Sequence, residues 1–121
     1  MESAAPRDND DAEEGFVADG VDRRELRRLK RGEHIPGDRL DLHGLTAAQA
    51  VTTVQRFIEQ GRSRHRCVSI VHGRGLHSAD KVSVLKTPVR HWLRHSPAVL
   101  AYADAPRTDG GPGAVYVLLR K

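Results

Sequence analysis

Asp41 and His43 stand two residues apart in the run Leu40-Asp41-Leu42-His43-Gly44. If that run is a strand, both side chains leave from one face, where an imidazole that titrates near neutrality has a carboxylate beside it. Such a pair can move a proton, with Asp41 fixing the ring's tautomer. The plainer alternative is that Asp41 caps the turn and His43 is held by backbone. A second run, His72-Gly73-Arg74-Gly75, follows another apolar stretch. Glycines there allow successive amides to converge on an anion, and Arg74 offers a planar fork that matches phosphate oxygens. Arg74 would stabilise the charge gained in phosphoryl transfer, and His72 would be a second proton carrier. The chemistry these residue types suit is phosphodiester cleavage. Lys81 and Lys86 extend a possible phosphate track, against the alternative that both are merely solvated.

Other reactive groups point elsewhere. The seven histidines include His91 and His95, four residues apart at a helix end, but no cysteine pair and no third ligand accompany them. Neither a metal site nor a cofactor is expected. The one cysteine, Cys67, lies within Cys67-Val68-Ser69-Ile70-Val71 and reads as a small buried hydrophobe. Trp92 falls in register with Leu85 and Val89, so it reads as core rather than as a base-stacking platform, and the same holds for Tyr102 and Tyr116.

The elements that would position these groups are legible from periodicity. Residues 40–43 alternate as a strand with one buried face, Gly44 ends it, and Thr46 is an N-cap. Ala47, Ala50, Val51, Val54, Phe57 and Ile58 then recur at helical spacing until Gly61. Residues 67–71 read as a central strand buried on both faces. Val82, Leu85, Val89, Trp92 and Leu93 mark a second helix to about His95, with Pro88 either kinking it or starting its straight portion. Residues 99–103 and 114–119 are two further strands, joined by a loop containing Gly110, Gly111, Pro112 and Gly113. The order βαβαββ predicts an α/β fold, a two-layer α/β sandwich with one parallel pair, a right-handed crossover and a hairpin-like close. In such sheets ligands sit at the carboxyl ends of strands, where both His43 and His72 fall.

Charge divides the 121 residues unevenly. Residues 1–22 hold one arginine against eight acids, for a net −7, whereas residues 23–39 carry +4 and residues 40–121 carry +7. Residues 1–19 read as a disordered acidic head, too poor in aliphatics to order itself. Residues 20–37 read as a basic helix and linker, with Val21, Leu26 and Leu29 as a narrow apolar stripe that docks on the domain or on a partner. The compact domain covers residues 38–121. A basic domain attracts polyanions, so nucleic acid is the first partner to consider. No apolar run spans a bilayer and the start lacks the pattern of a signal peptide, so a soluble cytoplasmic protein without membrane contact is expected.

Taken in order, Leu-Asp-Leu-His-Gly-Leu-Thr at 40–46, Val-His-Gly-Arg-Gly at 71–75 and Gly-Gly-Pro-Gly-Ala-Val-Tyr-Val-Leu-Leu-Arg at 110–120 resemble the small MutS-related (Smr) domain. Leu85-Lys86 and Trp92-Leu93 fall where that family carries similar residues. The resemblance implies a fold similar to the C-terminal domain of bacterial translation initiation factor three, with nucleic-acid binding and endonuclease activity on DNA in some members and RNA in others. Stand-alone bacterial members resemble ribonucleases acting on messenger RNA at stalled or collided ribosomes. By position, Asp41 and His43 match the family's cleavage element. His72, Gly73, Arg74 and Gly75 match its His-Gly-x-Gly element, and Gly110, Gly111 and Gly113 its third loop. Pro112 departs from the small polar residue common there and removes one amide. The expectation is a metal-independent endoribonuclease in which His43 and His72 share the base and acid roles, Asp41 orients and Arg74 stabilises. RNA is expected before DNA, with the ribosome as a further partner. The alternatives are a DNA nickase of repair or recombination and a non-catalytic module that binds nucleic acid or the ribosome.

Overall fold

A computed structural model describes residues 15–73 and 84–121. Five strands form one sheet: β1 (Gly15–Val17), β2 (Arg39–Asp41), β3 (Cys67–Val71), β4 (Val99–Asp104) and β5 (Ala114–Leu119), in the spatial order β1-β4-β5-β3-β2. β2 and β3 run parallel, and the other pairings are antiparallel. The helices are α1 (Arg24–Lys30), α2 (Ala47–Gly61) and α3 (Lys86–His95).

α2 and α3 cover one face of the sheet. Ala50, Val54 and Ile58 project at four-residue intervals from α2, and Val89 and Leu93 from α3. Both stripes bury against Val68, Ile70, Val115 and Val117, which is how amphipathic helices gain most of their stability. Thr46 starts α2 with a reciprocal capping box: its hydroxyl accepts from the Gln49 amide at 3.2 Å, and its own amide donates to Gln49 Oε1 at 3.0 Å. Pro88 is the third residue of α3, within the first turn, where a missing N–H costs no helical bond. It starts the helix rather than kinking it.

The expected two-layer sandwich is present, and α1 adds cover on the opposite face. β5 is buried along its whole length, and a strand buried on both faces needs a layer on each. Leu29 of α1, fully buried, joins Cys67, Ala101, Ala103, Ala114 and Leu118 there, with Leu26 beside it. The alanines leave room for the helix to seat close. Burial among these groups pushes the Cys67 thiol up to about 12, in keeping with a packing role.

One boundary is corrected. The acidic head was expected to be unstructured through residue 19, yet Gly15–Val17 pairs with β4 at the sheet edge. Phe16 packs on Tyr102, with ring centroids 5.5 Å apart, and Val17 faces the second core. Two apolar residues that alternate across an edge are enough for a short strand, and the surrounding acidic composition obscured them. Among the described residues no helix is long and apolar enough to cross a membrane.

Candidate active site

Strand pairing brings the three motifs to one end of the sheet. Asp41 lies opposite Val71, Val71 opposite Ala114, and Asp104 opposite Val115. The carboxyl ends of β2, β3 and β4 and the start of β5 therefore form one row. Backbone bonds tie it together. The Leu42 amide donates to Val71 O at 3.0 Å, while the amides of His72 and Gly73 both donate to Gly113 O, at 3.1 and 2.9 Å.

Asp41 and His43 are both exposed, on either side of the fully buried Leu42. Asp41 Oδ1 accepts from the His43 backbone amide at 2.9 Å. This is a short Asx-type turn that fixes how the chain leaves β2, so the carboxylate positions His43 through its backbone. Gly44 follows at φ +83°, and among the described residues no atom beyond its chain neighbours lies within 4 Å of where its Cβ would be. Among those residues, this corner is open.

His72 has the opposite environment. Its ring is 5% exposed, and its Nδ1 lies 2.9 Å from Gly73 O. Arg90, 2% exposed, donates to His72 Nε2 from Nε at 3.2 Å and from Nη2 at 3.1 Å. A guanidinium can only donate, so Nε2 accepts and Nδ1 carries the proton. Burial first, then the charge of Arg90, lowers the His72 pKa to about 4, despite the opposing Gly73 bond, with Lys86 adding a smaller push. His72 is neutral at physiological pH with both ring nitrogens engaged. The shared acid and base roles expected from residue type therefore do not match its surroundings.

Arg90 also donates from Nη1 to Asp104 Oδ1 at 2.7 Å and from Nη2 to Ala114 O at 3.3 Å. Its guanidinium carbon lies 5.9 Å from the Tyr102 ring centroid. One buried cation thus joins α3, β3, β4 and β5 behind the row of motifs.

The glycine-rich loop is held by a second polar group. Asp109 accepts from the Tyr116 hydroxyl and pairs with Arg39, which reaches across from β2. The Tyr116 bond and then Arg39 hold the Asp109 carboxyl below the usual range, and burial with Asp109 raises Tyr116 to about 12. Gly110 takes φ +115°, and a Cβ there would meet Ala114 Cβ at 2.8 Å, so only glycine fits this bend. The amides of Gly111 and Gly113 donate within the loop, to Pro106 O and Gly110 O. With Gly73 bonded to Gly113, these three amides are engaged inside the fold. Of the two amides expected to converge on an anion, that of Gly73 is taken up by Gly113, and Gly75 lies outside the described residues.

Of the other expected residues, Lys86 opens α3 beside His72. Arg74, Gly75 and Lys81 lie outside the described residues. Arg90, Asp104, Asp109 and Arg39 were not singled out in the sequence, and Tyr116 was read only as core. The available signal for Arg90 was its place directly after Val89 and three before Leu93, at the margin of the apolar stripe.

A sheet carrying an Asp-Leu-His corner, a His-Gly turn and a glycine-rich return loop on one edge defines a class of domain. The family model of the Smr domain matches residues 40–120, and the chain belongs to the Smr domain family. A ribosome rescue factor SmrB from Tolumonas auensis is 36% identical over 114 residues, covering 93% of this chain and 62% of that protein. The chain thus spans about three fifths of that relative's length. The stand-alone small MutS-related protein YdaL from Escherichia coli superposes with a TM-score of 0.74 at 30% identity, over 88% of this chain and 82% of that one. The Smr domain of Thermus thermophilus MutS2 gives 0.61 at 33% identity, over 69% and 99%.

Proposed function

We propose that this protein is an endonuclease that cleaves RNA without a metal ion, on messenger RNA at stalled or collided ribosomes in the cytoplasm. The observation that carries this is the contrast between two histidines on one sheet end. His43 is exposed at an open corner, and His72 is buried and neutral on Arg90. The exposed position of His43 supports it as the group that exchanges protons with a bound strand.

His43 takes the proton of a ribose 2′-hydroxyl, the 2′-oxygen attacks the adjacent phosphorus, and the bond to the 5′-oxygen breaks. The protonated imidazole then passes its proton to that leaving oxygen. Asp41 holds the His43 backbone in place, and Arg74 takes the charge of the phosphorane. His72 acts by positioning the His-Gly turn on Gly113. The name borne by the relatives, ribosome rescue factor, supports the ribosome as the setting.

A non-catalytic binding module is the second reading, favoured by the turn-capping bond of Asp41. Product ends separate the two. RNA incubated with the protein in EDTA should give 2′,3′-cyclic phosphate ends while matching DNA stays intact. Linear 3′-hydroxyl ends would contradict the mechanism, DNA cleavage would favour a nickase, and intact bound strands would favour the module.

A further inference from the structure

The arginines of α1 fall into two stripes with different fates. Arg24, Arg28 and Arg31 each have a carboxylate, on Asp22 at 2.8 Å, Glu25 at 3.3 Å and Glu33 at 3.9 Å. Arg23, Arg27 and Lys30, spaced by four and three residues, share the neighbouring stripe and are exposed. Among the described residues none of these three, nor Arg107, has an ion-pair partner. Lys30 borders two adjoining grooves. One, of about 390 Å³, runs along Arg23, Arg24 and Arg27. The other, of about 720 Å³, lies between α1 and the glycine-rich loop and includes Arg107, Gly110 and Gly111. Asp104 also lines the second groove, with its charge held by Arg90.

We infer that this stripe is a phosphate track: Arg23, Arg27, Lys30 and Arg107 hold the backbone of a single-stranded RNA beyond the scissile bond and lead it over the glycine-rich loop to the Asp41–His43 corner. Arg23 to Lys30 covers about 10 Å of helix axis at 1.5 Å per residue, a length that suits successive phosphates rather than a single anion. Unpaired cations gain more from a polyanion than paired ones, which would have to give up a carboxylate. Asp104, which Arg90 holds, lines the groove, so its loop end borders the row of strand ends that carries the site. The inference deepens the nucleic-acid reading above and rests on it, though not on the cleavage chemistry.

The test is binding of fluorescein-labelled oligouridine of about 20 nucleotides to the full chain carrying His43→Ala, titrated against salt. Adding Arg27→Ala, Lys30→Ala and Arg107→Ala together should weaken binding at least about tenfold and reduce the slope of log K against log salt by about 2. Arg28→Ala with Arg31→Ala, in the paired stripe and outside both grooves, should change affinity less than about twofold. Urea midpoints of all variants establish that the fold is kept. Equal losses from both stripes, or no binding by the parent, would overturn the inference. Unchanged binding by the triple variant would also overturn it and leave the stripe to an acidic protein segment. Because binding is read without cleavage, a wild-type chain that lacks turnover but shows the predicted salt slopes would sink the nuclease reading alone.

Discussion

Arg90 donates two hydrogen bonds to the same ring nitrogen of His72 and a third to Asp104, so a histidine inside a motif rich in titratable groups is held neutral. The arginine is the pivot of the site's back wall. Removing it leaves Asp104 and His72 facing each other without a cation. Arg90→Ala is expected to destabilise the domain by about 3 kcal/mol, since breaking a buried pair strands its partner. Arg90→Lys, with a point charge in place of a fork, should restore only part of this. Urea unfolding at pH 7 measures both, and a loss below about 0.5 kcal/mol for Arg90→Ala would refute the pivot role.

The same contact fixes a pH dependence. A histidine whose folded pKa lies below its unfolded value contributes stability that is complete above the unfolded value and lost as pH falls through the folded one. His72 moves from 6.5 to about 4, so stability should decline between about pH 6.5 and 4, by up to about 3 kcal/mol. His72→Gln should flatten that window. The Asp109 carboxyl is held below the ordinary carboxylate range, chiefly by the Tyr116 hydroxyl, so its contribution is lost only at more acidic pH, and the two can be read separately in one titration.

Tyr116 and Asp109 hold the glycine-rich loop against β5. Tyr116→Phe removes one hydroxyl and keeps the ring in place. A loss of about 1 kcal/mol is expected, with faster hydrogen exchange confined to residues 107–113. Uniform acceleration across the sheet would show that the bond supports the whole core rather than the loop.

Ser69 is fully buried on β3 between Arg39 and Tyr116, and among the described residues its Oγ has no hydrogen-bond partner. A buried hydroxyl without a partner costs free energy. Ser69→Ala should leave stability unchanged or raise it by up to about 1 kcal/mol. Thermal unfolding decides this, and a clear loss would mean that the hydroxyl is satisfied in solution.

Much of the frame could be read from the chain because local rules agreed with the fold. The Thr46 cap, the helical stripe of α2 and the β5 limits at Ala114–Leu119 came from periodicity and capping residues alone. β1 was missed because Phe16 and Val17 sit inside an acidic run whose average composition argues for disorder. α1 was legible as a helix, but whether it docked inside the molecule depended on the alanines of β4 and β5, far away in sequence. The site shows the same division. Asp41 and His43 were found from their alternation with Leu40 and Leu42, although β2 ends at Asp41 and His43 falls in the turn that follows. The state of His72 was not, since it is set by a helix residue 18 positions later. Asp109, Tyr116 and Arg39 meet through tertiary packing that no short motif encodes.

On the proposed chemistry His43 is the group that exchanges protons with RNA. The measurement is single-turnover cleavage of end-labelled single-stranded RNA, in EDTA, by wild type and His43→Ala, alongside their RNA affinities. At least about a hundredfold loss of rate is expected for His43→Ala, with the fold and RNA affinity of the wild type. A variant that still cuts within a few fold of the wild-type rate would show that His43 is not that group.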